Sequence, residues 1–286
     1  MELFLIALLT WAPAIHAAQS AGACTPSGAL VPLPGLTEAS GLAASRNVPG
    51  RLWSHNDSGQ PVVFALDSRG GVSGQVRVTG ATVEDWEGLA VGPCGNRSCL
   101  YIGDIGDNNA NRKRVTIYRL PEPEQPNGTA AVSEVFHATY PDGAHDAEAL
   151  VVADGRLYIV TKGETGPVAV YRFPAKLEAG GTMKLERVAE LAPRADAQSR
   201  VTDASASPDG RWLVLRSRST LFFYRAAELF AGKTRVAATV DVRPLKEAQG
   251  EGVAYGADAM VFLAGEGGGK GLPGTFARFS CALPGD

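Results

Sequence analysis

Glu87-Gly88-Leu89-Ala90 opens a hydrophobic strand, and the same kind of opening recurs at Ser40-Gly41-Leu42-Ala43, Glu148-Ala149-Leu150-Val151, Asp203-Ala204-Ser205-Ala206 and Glu251-Gly252-Val253-Ala254. In chain order the copies start 47, 61, 55 and 48 residues apart. Periods of this size in strand-rich units mark a β-propeller. Each motif is followed, after a short turn, by a second apolar run at 52–57, 100–104, 157–162, 212–216 and 260–264, most of them with a polar end. Third runs centre on 62–66, 115–118, 168–173, 221–224 and 276–279. β-Branched and aromatic runs parted by Gly, Pro, Asn and Asp are the pattern of strands and turns. Fourth strands are predicted at 72–78, 132–140, 183–191 and 236–242.

The fifth unit ends before it can supply a fourth strand, and an unused apolar stretch, 30–36, stands ahead of the first motif. The expected fold is therefore an all-β, five-bladed propeller of four-stranded blades, closed by an N-terminal strand that completes the last blade and removes two exposed sheet edges. A six-bladed ring is the alternative. Antiparallel closure would bring Cys24 to Cys281, while Cys94 and Cys99 flank a tight turn; four cysteines admit three pairings, and this one fits the closure. Four free buried thiols are the other reading.

Residues 1–23 read as an export signal and 24–286 as one domain. The apolar run 3–15 is too short for a stable membrane anchor, Ala-rich sequence follows it, and cleavage is expected after Ala17 or Ala23. Only Glu2 is charged ahead of the run, an unusual start for such a signal. Cleavage before Cys24 would admit a lipoprotein, but Ala21-Gly22-Ala23 is a poor lipid-attachment box and Cys281 would be left unpaired. With 27 basic and 30 acidic residues there is no basic excess for nucleic acid and no polybasic membrane tail. A secreted or periplasmic monomer without a transmembrane segment is expected. The Pro-rich stretch 120–127 and the Gly-rich stretch 265–271 read as surface loops.

The leading residues of the motifs carry the chemistry. In antiparallel neighbours the start of one strand lies beside the end of the next, so both polar sets should share one face of the ring. That places Glu87, Glu148, Asp203 and Glu251 around the channel, with Ser40 in the fifth place and Glu38, Asp85 and Asp146 two residues earlier. Asp57, Asp104 and Asp107 would widen the cluster, although such residues also make ordinary turns. Crowded carboxylates need a cation or raised pKa values. Calcium suits an oxygen-only donor set best and magnesium next; zinc does not, because few histidines remain and the cysteines are taken. The plainer alternative is solvated or backbone-bonded acids. His55 and His145 are placed as general bases, with structural histidines as the alternative, and Trp53 and Trp86 as packing between blades.

The acidic-Gly-Leu-Ala opening with the strand at 100–104 behind it resembles the calcium-activated nucleotidases of the apyrase type. The stretches 52–59, 85–90 and 100–108 are similar to secreted bacterial β-propeller proteins of unassigned function, and there is similarity to the esterase-like phytase and SdiA-regulated propeller groups. The resemblance implies a five-bladed propeller with calcium in its central tunnel, held by Glu87, Glu148 and Glu251 with Ser40 beside them, and phosphate-ester hydrolysis as a weaker implication. Asp203 in place of Glu and Val201 in place of a second acid depart from that pattern. Phosphate handling would require cations near the metal, for which Lys162 and Arg216 are the candidates, with Arg218 behind them. Two functions follow as expectations. One is a calcium-dependent hydrolase of phosphate or carboxylate esters, with Glu87, Glu148 or His145 as base. The other is a non-catalytic module that binds a small molecule or an envelope glycan or protein.

Overall fold

In the computed structural model, which describes residues 23–193, 196–269 and 271–283, the chain forms five mainly antiparallel sheets arranged as the blades of a propeller. The expected export signal lies outside the described residues except for Ala23. The inner strands, in chain order of the blades, are Ala39–Ala44, Trp86–Cys94, Ala147–Ala153, Val201–Ala206 and Gln249–Tyr255. Each packs beside the next, and the fifth packs back against the first, so the ring is closed. Outward from these, blade 1 continues through Arg51–Asn56, Val62–Asp67 and Val72–Thr79, and blade 2 through Arg97–Asp104, Val115–Pro121 and Glu134–Thr139. Blade 3 continues through Arg156–Thr161, Pro167–Arg172 and Glu186–Pro193, and blade 4 through Trp212–Ser217, Thr220–Arg225 and Ala238–Asp241.

Blade 5 has Met260–Glu266 and Gly274–Ala282, and its outer strand comes from the other end of the chain, as expected. The donor is split in two. Val31–Leu33 pairs with the start of Gly274–Ala282, and Ala23–Pro26 pairs with its end. Cys24 lies opposite Cys281 with a Cα–Cα distance of 4.0 Å, and both expected disulfides, Cys24–Cys281 and Cys94–Cys99, are formed.

Two edge strands were not foreseen. Gly128–Ala131, from the loop after the third strand of blade 2, adds in parallel to the outer strand of blade 1. Thr182–Lys184, from the matching loop of blade 3, adds in parallel to blade 2. In blade 4 the same excursion is the short helix Ala226–Phe230, which packs on the outer strand of blade 3 and stacks Phe230 on Tyr158. Each excursion thus covers the edge of the preceding blade, where unpaired backbone groups would otherwise face solvent.

There is one apolar cluster per blade boundary rather than a single centre. Trp53 and Trp86 fill the wedge between blades 1 and 2, Phe136 and Tyr171 that between 2 and 3, and Trp212 and Phe279 that between 4 and 5. Middle strands have neighbours on both faces, which explains why Trp212–Ser217 is buried at every position and why the sequence shows runs rather than strict alternation. The small residue after each motif opening has its own cause: a Cβ on Gly252 would lie 2.5 Å from the Ser40 carbonyl oxygen, and one on Gly41 would lie 2.8 Å from the Leu89 nitrogen. At these glycines of blades 1 and 5 the adjacent inner strands approach too closely for a side chain.

Replacing both Cys24 and Cys281 by Ser is expected to lower stability by about 2–5 kcal/mol, more than replacing Cys94 and Cys99. The first bridge joins residues 257 apart and the second residues 5 apart. Denaturant unfolding of the two double variants checks this; equal losses would contradict ring closure by the first bridge.

Candidate functional site

Every inner strand carries a β-bulge at its second or third residue, where the register with the next strand slips by one. Pairing resumes in register from Gly88, Ala149 and Asp203 in blades 2, 3 and 4, leaving Glu87, Glu148 and Thr202 as the extra residues, and the same offset in blades 1 and 5 selects Ser40 and Glu251. A bulge re-aims a side chain. Ser40, Glu87, Glu148, Thr202 and Glu251 are therefore the equivalent channel positions, all of them buried. The fourth motif differs from expectation by one residue: Thr202, not Asp203, stands where the glutamates stand.

Two hydrogen bonds support that equivalence. Ser40 Oγ donates to the Glu87 carbonyl oxygen at 3.2 Å, and Thr202 Oγ1 donates to the Glu251 carbonyl oxygen at 2.9 Å, each reaching the next blade at the same place. Ser40 Oγ also lies 2.5 Å from Glu87 Oε2.

Asp203 lies one step inward, at the position of Gly88, Ala149 and Gly252. Its carboxylate accepts from Val253 N–H at 2.8 Å, Leu42 N–H at 3.3 Å and its neighbour Ala204 N–H at 2.8 Å, joining blades 5, 1 and 4. Burial raises its pKa well above the usual carboxylate range, against the pull of those three donors and of Arg216. These bonds make a waist in the channel. On one side is a polar cavity of about 210 Å³. On the other is one of about 500 Å³, lined largely by small and apolar residues such as Ala43, Ala90, Val152 and Ala206.

The polar cavity contains Glu87, Glu148, Thr202 and Glu251 from the bulges. Above them stands the residue just past the pairing partner of the residue ahead of each bulge: Asp57, Lys162, Arg218 and Glu266 in blades 1, 3, 4 and 5, with buried Ile105 in blade 2. Two residues ahead of the bulges come Asp85, Arg200 and Gln249. Above the bulges the charge is segregated, over a bulge layer that is acidic at Glu87, Glu148 and Glu251 and beside Asp85 of blade 2. Blades 3 and 4 present Lys162, Arg200 and Arg218, whereas blades 5 and 1 present Glu266 and Asp57.

Lys162 Nζ is 2.6 Å from Glu148 Oε1 and 3.1 Å from Asp146 Oδ2. Arg218 Nε stands 3.7 Å from Glu251, and Arg200 pairs with Glu164 at 2.7 Å. Burial, then the Glu148 charge, raises the Glu87 pKa well above its usual range. Burial brings Glu148 to about 7, against the Lys162 charge, and Glu251 to about 8, helped by Glu148 and Glu266. Asp57 rises to about 7 through burial and the charges of Glu38 and Glu266, and its buried Oδ1 has no hydrogen-bond partner.

Several predicted site residues lie elsewhere. Arg216 is fully buried between blades 4 and 5, where it donates to the Gly252 and Ala264 carbonyl oxygens and pairs with Glu247 at 2.5 Å. Arg218, two residues on, is the counterpart of Lys162. His145 sits in a separate small cavity with Tyr171 and Asp142, its Nε2 3.1 Å from Asp142 and 3.0 Å from the Tyr171 hydroxyl. Asp104 accepts from the N–H groups of Glu84 and Asp85 and from Arg112, and so holds the loop that carries Asp85. Asp107 receives the Asn111 and Arg112 N–H groups and donates its own to Asp146. His55 is buried against Trp86, and burial lowers its pKa to about 4.

A directly ligated calcium ion requires several oxygens around one point. Among the described residues no three His, Cys, Asp or Glu side chains are grouped so as to hold a metal ion. Glu87 is engaged by Ser40, Glu148 by Lys162, and Asp203 by three backbone N–H groups. The residues as placed do not fit that ion.

No protein-family profile matches the chain, and no curated protein matches it. Solved structures do. The PQQ-bound aldose sugar dehydrogenase from Streptomyces coelicolor is 12% identical with a TM-score of 0.51, over 90% of this chain and 98% of that one. The major Malassezia sympodialis allergen Mala s 1 is 11% identical with a TM-score of 0.55, over 89% of this chain and 96% of that one. At such identities the likeness shows the fold alone. Among the described residues no helix is long and apolar enough to cross a membrane.

The raised carboxyls fix a sign for the pH dependence of stability. Unfolded carboxyls are already ionised above about 5, whereas Glu148, Asp57 and Glu251 retain protons in the fold up to about 7–8. The folded state then binds more protons, and stability falls as pH rises through that window. Melting temperature is expected to fall from pH 6.5 to 8, and less steeply in a Glu251→Gln variant. Calorimetry checks this; a rise over that interval would contradict the assignment.

Proposed function

We propose that this protein is a binding propeller that acts outside the cytoplasm and takes a small dipolar ligand into its channel mouth. The ligand's anionic group would rest against Lys162, Arg200 and Arg218, and its cationic group against Asp57 and Glu266. The observation that carries this reading is the segregation of charge around one cavity, with the donorless Asp57 Oδ1 at the negative pole. A volume of about 210 Å³ suits a molecule of amino-acid or small-peptide size. Both poles are half-buried, where charge pairing is less screened than in open water. The two disulfides favour an oxidising compartment, with residues 1–23 as the export signal.

One observation favours a second reading, the hydrolysis of phosphate or carboxylate esters that the nucleotidase-like motifs imply, here carried by carboxyls and cations rather than by calcium. Glu148 and Glu251, with pKa values of about 7 and 8, face the same cavity as Lys162 and Arg218. A carboxyl poised near neutrality serves general acid or base catalysis, and the cations would steady developing charge. No step is assigned to a metal ion, given how the donors are engaged.

Titration calorimetry with a panel of free amino acids and dipeptides tests the first reading. At least one is expected to bind the wild type and to lose about tenfold or more in affinity in both Arg218→Glu and Asp57→Asn. No binding across the panel, with turnover of a phosphate or carboxylate ester that disappears in Glu251→Gln, would overturn it in favour of the second.

A further inference from the structure

We infer that Lys162 is a tethered cation occupying a latent divalent-cation site, so that the chain supplies from one of its own side chains the positive charge that a tunnel ion would bring. Three oxygens surround its ammonium: Glu148 Oε1 at 2.6 Å, Asp146 Oδ2 at 3.1 Å and Asn108 Oδ1 at 3.5 Å. The two carboxylate oxygens are buried, and the Lys162 ammonium meets both by charge and by hydrogen bonding. Glu148 is 3% exposed and Asp146 8%. Two buried carboxylates left without a counter-charge would be strongly destabilising.

The oxygens are held in place independently of the lysine side chain. Glu148 is aimed by its bulge, and the other oxygen of Asp146 accepts from Asp107 N–H at 2.8 Å. The Lys162 backbone is fixed on both sides, its N–H donating to the Asp146 carbonyl oxygen and its carbonyl oxygen accepting from Val201 N–H, each at 3.0 Å. Burial disfavours the charged amine, but Glu148 and Asp146 outweigh it and raise its pKa, so the ammonium is permanent at neutral pH. Removing that nitrogen leaves two carboxylate oxygens and an amide oxygen around one point, with Asp85 near, a partial hard-oxygen set that water would have to complete to the roughly six to eight oxygens calcium takes.

This explains why motifs that resemble a calcium-tunnel family coincide with side chains that do not converge on an ion.

The test is terbium luminescence and thermal melting in chelator and in calcium, on wild type, Lys162→Met and Lys162→Arg. Lys162→Met is expected to melt lower in chelator, to be restored by calcium, and to bind terbium on the order of tenfold or more tighter than the other two proteins, because a repelling charge has gone. Lys162→Arg, which keeps the charge, should not respond to calcium. Failure of calcium to restore Lys162→Met, or of that variant to gain terbium affinity, would overturn the inference. So would a calcium-dependent rise in the wild type that disappears in Glu148→Gln, which would favour the metal-dependent hydrolase instead. Amino-acid binding by the wild type is read separately, so failure of the dipolar-ligand reading leaves this result interpretable.

Discussion

The Asp203 carboxylate, accepting N–H groups from Leu42, Val253 and Ala204, is the constraint on which the rest of the ring depends. Inner strands that converge on an axis have backbone groups facing a space too narrow for solvent. Buried N–H groups need acceptors, and one short acidic side chain serves three blades at once. Its cost is the burial of a carboxylate, offset by three donors and by Arg216 behind it. The same bonds lie between the two cavities of the channel, the polar one and the one lined by small and apolar residues.

Above that waist the bulges set the chemistry. A regular strand would alternate its side chains between the two faces of its blade, whereas the extra residue turns Glu87, Glu148, Thr202 and Glu251 into the cavity. Carboxyls in such a place stay protonated or find a cation. Glu148 has Lys162, Glu251 has Arg218 at longer range, and Glu87 has the Ser40 hydroxyl and a raised pKa. What distinguishes this mouth is how the layer above is divided, basic over blades 3 and 4 and acidic over blades 5 and 1.

The fold was legible because repetition and alternation are local signals: all five inner strands, the donor from the N-terminus and both disulfides follow from spacing. The two parallel edge strands were not, since Gly128–Ala131 and Thr182–Lys184 have little strand character and owe their conformation to a neighbouring blade's edge. In the fourth unit the alignment followed charge and chose Asp203. Ala204 supported that choice, since Gly or Ala follows every other leading residue; the one sign of Thr202 in the sequence is Arg200, a charged residue two before it, as Asp85 and Asp146 stand two before their glutamates. The same displacement put Arg216 forward in place of Arg218. His145 was misplaced for a different reason: its loop folds outward over blade 3, where Asp142 and Tyr171 hold it.

Amide hydrogen exchange, read residue by residue on the oxidised protein, tests most directly whether Asp203 ties the ring together. Leu42, Ala204 and Val253 should exchange only through global unfolding, with protection equal to that of the slowest amides in the middle strands. Exchange of Leu42 and Val253 at the rate of outer-strand or loop amides would contradict a carboxylate-bound waist and, with it, the division of the channel into two cavities.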